Sequence, residues 1–75
     1  MTPAEIARVF EGRVGTAVRI VTTQGETALL NVLWVDGEGV SCNVADHPDY
    51  DPGKTHWWSF DEIAEAAAAD EERPP

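Results

Sequence analysis

One cysteine, five basic residues and no apolar run of membrane-spanning length set the first limits on this 75-residue chain. With Cys42 alone, no intramolecular disulfide forms and a four-cysteine zinc site is excluded. A solitary thiol fits a reducing compartment, so the expectation is a cytoplasmic protein. No stretch approaches the roughly 18 apolar residues a membrane helix needs. Met1-Thr2-Pro3-Ala4-Glu5 has neither a basic region nor an apolar run, and so does not read as a signal peptide. Nucleic-acid binding rests on Lys and Arg neutralising phosphates. Here Arg8, Arg13, Arg19, Lys54 and Arg73 lie scattered under a net charge of -9. Nucleic acid and anionic membrane surfaces are therefore disfavoured as partners.

Acids dominate what is present. Residues 61–75 hold six of them and one base, a net -5, and the first sixty residues carry the other -4. A chain of this length buries only about 60% of its unfolded surface, which allows one domain with one thin core. That domain is expected over residues 1–69, and the acidic, proline-ended residues 70–75 have nothing to bury and are expected to be disordered.

Thr2-Pro3-Ala4-Glu5 signals a helix start: Thr2 as cap, Pro3 in the first position and Glu5 completing a capping box. Ile6, Val9 and Phe10 fall on one face, and Gly12 stops a helix expected over 3–11. From Val14 the period becomes two, with Val14, Thr16, Val18, Ile20 and Thr22 sharing a strand face. Gln24-Gly25 turns the chain into an apolar run from Thr27 to Val35. That run fits a strand buried on both sides, or a long strand that bends and switches faces. Asp36-Gly37-Glu38-Gly39 is a strong turn. Val40, Cys42 and Val44 then alternate with Ser41 and Asn43, making Cys42 a small core residue. Residues 45–55 read as a loop and His56 to Phe60 as an aromatic strand. Two readings stay open for residues 60–69. One is a helix capped by Ser59 and Glu62 and running through four alanines; the other is a tight turn at Phe60-Asp61-Glu62 followed by a short last strand through Ile63.

Sites with chemistry are few. Asp46, His47, Asp49 and Asp51 gather carboxylates and an imidazole, and Asp49-x-Asp51 begins like a calcium loop. The glutamate such a loop requires falls on Phe60. Gly53-Lys54-Thr55 ends like a phosphate loop, but Pro48 stands where its first glycine belongs. No base is placed beside Ser41, Ser59 or Cys42. The expectation is no catalytic, cofactor or metal site. The tryptophans carry more. Adjacent strand residues face opposite ways, so of Trp57 and Trp58 one enters the core and the other lies under the first helix or at an interface. Trp34, Trp57, Trp58 and Tyr50 are the candidate interface residues.

The order of elements, with Val18-x-Ile20, Gly25, Val32, Asp36, Val40-x-Cys42-x-Val44 and the turn Phe60-Asp61-Glu62-Ile63, resembles the Sm-like proteins over about residues 2–63. The resemblance implies a mainly β fold: a small, strongly bent five-stranded barrel behind an N-terminal helix, in a family that commonly assembles as rings or dimers. Leu30 stands where the family usually has glycine. The family's RNA-binding asparagine has no counterpart near Gly39-Val40-Ser41, and Trp58-Ser59-Phe60 replaces its Arg-Gly pair. The expected function is a non-enzymatic interaction module that self-associates as a homo-oligomer or binds a protein partner. An Sm-like nucleic-acid binder is the alternative, and a small metal-dependent enzyme using Asp46, His47, Asp49 or Asp51 the weaker one.

Overall fold

The computed structural model describes residues 1–45 and 47–69. Helix α1 spans Pro3–Phe10. Its start is the capping box read from the sequence: Thr2 Oγ1 accepts from the Glu5 amide at 3.2 Å, and Glu5 Oε1 accepts from the Thr2 amide at 2.9 Å. Glu11 caps the other end and Gly12 follows at φ 72°, so the helix is one residue shorter than expected. Eight residues cannot hold a helix alone. Ile6 and Phe10, one turn apart, are fully buried and anchor α1 to the rest of the fold.

Five strands follow: β1 (Ala17–Thr22), β2 (Thr27–Val35), β3 (Gly39–Ala45), β4 (Thr55–Ser59) and β5 (Ile63–Ala68). They form one antiparallel sheet in the order β4-β3-β2-β1-β5. The chain is thus mainly β with an N-terminal helix, as its periodicity implied. The barrel is not closed: among the described residues β4 and β5 remain the two edges of the sheet. They diverge from a single turn of 3-10 helix, Phe60–Glu62. Phe10 fills the space beside that turn, its ring 6.0 Å from that of Phe60. Helix packing there takes the place of a closing ladder.

Several sequence expectations change. Val14 and Thr16 leave the strand face and are exposed, because the chain is still turning there. Gly15 at φ 86° donates to the Val32 carbonyl at 2.8 Å, and the ladder begins only at Ala17. The run Thr27 to Val35 is not buried on both sides. Ala28, Leu30 and Val32 face the core, whereas Leu33 and Trp34 are 44% and 65% exposed. The pairing register shifts between Val32 and Trp34, so Leu33 is an extra residue with no partner on β3. This bulge bends β2 and places two consecutive side chains outside. Of the two readings for residues 60–69, the turn and last strand is the one found, but the strand starts at Ile63 and runs on through the alanines to Ala68. Residues 70–75, expected to be a disordered tail, lie outside the described residues.

One core joins the sheet to the helix. Val18, Ile20, Leu30, Val32, Val40, Cys42 and Val44 supply the sheet face, and Ile6, Phe10, Phe60 and Ile63 close it. Thr22 is the buried polar residue of the set. Its hydroxyl accepts from the Gln24 and Glu26 amides, which ties the β1–β2 turn and leaves the group paired.

Candidate functional site

The two neighbouring tryptophans of β4 separate as strand geometry demands. Trp58 is 9% exposed and belongs to the core, while Trp57 is 50% exposed. Trp58 therefore drops out of the surface set, and Trp57 is not covered by α1. The register then places Trp57 in a row. Trp34 of β2 pairs with Ser41 of β3, and Ser41 pairs with Trp57 of β4. Two exposed indoles thus flank one small residue on the outer face of the sheet.

Trp57 is held in place locally. Its Nε1 donates to Asp36 Oδ2 at 3.0 Å. Asp36 Oδ1 accepts from the amides of Glu38 and Gly39, both at 2.7 Å. The Glu38 amide first, then the Trp57 indole, stabilise the ionised carboxylate and hold Asp36 below its ordinary pKa. Gly39 lies under the indole: a Cβ built there would meet the Trp58 carbonyl oxygen and come within 2.6 Å of Trp57 Cζ2. The turn signal at residues 36–39 was legible in the sequence. Its second task, seating a tryptophan 21 positions away, carried no local signature.

The same strand exposes backbone. The Phe60 amide donates to the Glu38 carbonyl at 3.0 Å. By the alternation of an antiparallel ladder, His56 and Trp58 direct their backbone groups to β3, and Thr55, Trp57 and Ser59 direct theirs to the free edge. An open edge of this kind is a template for another strand.

Behind β4, Tyr50 is half-buried among aromatic neighbours. The rings of His47 and His56 meet it edge-on at 4.9 and 5.0 Å, and Trp58 lies at 5.8 Å. Burial, then the charges of Glu26, Asp49 and Glu62, push the phenol above its ordinary pKa. Tyr50 thus packs on the core as part of this cluster rather than beside Trp34. A cleft of about 170 Å³ is lined by Tyr50, His56, Trp57, Trp58 and Glu62. It adjoins a larger one of about 400 Å³ that shares Tyr50, Trp58 and Glu62 and adds Thr22, Gln24 and Glu26. Two buried nitrogens in this cluster, His56 Nε2 and Trp58 Nε1, have no hydrogen-bond partner among the described residues. Leaving such a group unpaired costs roughly 1–3 kcal/mol.

Asp51 and His47 of the loop serve as turn caps. Asp51 Oδ1 accepts from the Gly53 amide at 2.9 Å, and His47 Nδ1 from the Asp49 amide at 3.2 Å. His47 Nε2 faces Glu26 at 3.8 Å. Asp46 lies outside the described residues, and among those described no three His, Cys, Asp or Glu side chains gather as a metal site. Ser59 Oγ accepts from the Asp61 amide at 3.3 Å and caps the 3-10 turn. Cys42 is fully buried, and burial pushes its thiol from an ordinary 9.0 up to about 11, so its nucleophilic thiolate is suppressed. Comparison with protein-family models, with curated proteins and with solved structures finds no match for this chain.

Proposed function

We propose that this chain is a non-enzymatic interaction module that self-associates, with the Trp34–Ser41–Trp57 row and the adjoining free edge of β4 as its contact surface. The observation that carries the reading is the coincidence of two exposed indoles with an open strand edge. Burying a large apolar side chain contributes about 1.5–3 kcal/mol, and strand pairing along the edge satisfies the backbone groups of Thr55, Trp57 and Ser59. Pre-set geometry helps, since the Asp36 bond already fixes the Trp57 rotamer and lowers the entropy lost on contact. Acidic self-repulsion opposes association, but exposed charges are screened beyond about 8 Å at physiological salt.

The strand order, the bend in β2 and the 3-10 turn before β5 support an Sm-like architecture for the module. The charge of -9 argues against the nucleic-acid role of that family. The lone buried thiol fits a cytoplasmic setting, and no helix among the described residues is long and apolar enough to cross a membrane.

Light scattering after size exclusion tests the proposal. The expected result is a species heavier than 8.2 kDa at micromolar concentration, most simply a dimer. Replacing Trp34 and Trp57 together by alanine is expected to return the monomer. A wild-type monomer across a wide concentration range overturns the reading.

A further inference from the structure

The surface row and the cleft meet at Trp57, which belongs to both, and the cleft has a chemistry of its own. Its walls are aromatic: Tyr50, His56, Trp57 and Trp58. Its charges are all of one sign. Glu62 lines both the smaller cleft and its larger neighbour, Glu26 lines the latter, and among the described residues no lysine or arginine lines either. Aromatic faces carry negative quadrupole density and attract cations most strongly when the cation is weakly hydrated. Carboxylates at the rim add a second attraction of the same sign. Burial first, and then the charges of Glu26, Asp49 and Glu62, raise the Tyr50 phenol, in keeping with carboxylates close to this cluster.

We infer that this cleft binds a weakly hydrated organic cation, an alkylated ammonium or a guanidinium group, against the rings of Tyr50, His56 and Trp57 with Glu62 as its counter-charge. The depression, of about 170 Å³ and open to solvent, has room for one such head group. Small inorganic cations hold their water tightly, and the smaller cleft offers few oxygen ligands to replace it, the Glu62 carboxylate and the Tyr50 hydroxyl.

The three tryptophans make the test internal. In a nitrogen-15 correlation spectrum each indole gives one signal, and Trp34 stands away from the cleft. Tetramethylammonium chloride and arginine are titrated separately, against sodium chloride at matched ionic strength. The expected result is a saturable, millimolar displacement of the Trp57 and Trp58 signals with Trp34 unmoved. A response to tetramethylammonium and arginine alike assigns general organic-cation recognition, and a response to one alone fixes which head group is taken. In Glu62→Gln, an exposed position whose change leaves the core untouched, the affinity is expected to fall about threefold or more. Tyr50→Phe keeps the ring and is expected to bind, whereas Tyr50→Ala is expected not to; the indole dispersion of each variant reports whether it is folded. No displacement by either cation, equal displacement by sodium chloride, or displacement of Trp34 to the same extent overturns the inference.

Discussion

The two edge strands leave the same three-residue turn and meet opposite fates. β5 is built from four alanines, one glutamate and one isoleucine, and the chain covers it itself. Helix α1 packs against it through Ile6 and Phe10, and the Met1 nitrogen donates to the Ala64 carbonyl at 3.3 Å. β4 carries two tryptophans and a histidine and is left uncovered along its outer edge. Small side chains let a helix approach one edge closely, and large ones are displayed on the other. The contrast separates a stabilising edge from a recognising one.

The largest expected effect breaks that contrast on the β5 side. Phe10→Ala removes a fully buried ring that holds α1 to Phe60, and is expected to cost about 3–5 kcal/mol. Thermal unfolding should show Tm falling by roughly 15–30 °C. Trp57→Ala, on the β4 side, is expected to cost only about 1 kcal/mol, the indole–Asp36 bond and some packing. A Trp57→Ala loss as large as that of Phe10→Ala would show that the two edges do not divide the work.

Gly39→Ala comes next, at about 2–3 kcal/mol. Its methyl group meets a backbone oxygen, which no rotamer change relieves, as well as the Trp57 ring. Denaturant unfolding measures the loss. A near-neutral result would mean that β4 shifts away from β3 with ease.

A smaller effect follows from pH. The folded-state pKa of Cys42 is raised from 9.0 to about 11, and that of Tyr50 is raised as well. The unfolded chain therefore gives up these protons first, and the contribution is fully present below the unfolded pKa. Stability is expected to fall as pH rises from about 9 toward 11. Cys42→Ala should flatten part of that slope in a urea series taken at several pH values. An unchanged slope would remove the thiol from the account. The smallest effect is Asp36→Asn. An Asn oxygen still accepts from the turn amides, but its NH2 faces another donor at Trp57 Nε1. The turn is expected to persist while the Trp57 indole signal moves and the self-association proposed for that face weakens.

Legibility in the sequence followed how local the deciding force was. The α1 cap involves residues three apart, and the sequence showed it in full. β3 alternates because one face is buried, so Val40, Cys42 and Val44 were readable as core. β5 was ambiguous because four alanines carry the strongest helix propensity and no period of two. Pairing to β1, some 45 positions away in the chain, decides it. The same holds for the tryptophans. Alternation required that Trp57 and Trp58 part, and the choice between them follows from the register that pairs Trp58 with buried Val40, which only the fold shows. The cleft was least visible, since Tyr50, His56 and Glu62 belong to a loop, a strand and a turn.

The extra residue in β2 has a consequence for how this domain tolerates length changes. Val32 pairs with Cys42 and Trp34 with Ser41, so excising Leu33 would leave every remaining side chain on its present side of the sheet. Inside and outside would be conserved while the curvature relaxed, and the β4 margin would swing relative to β5. In this chain, facing and curvature are encoded by different residues, and a single deletion can alter one without touching the other.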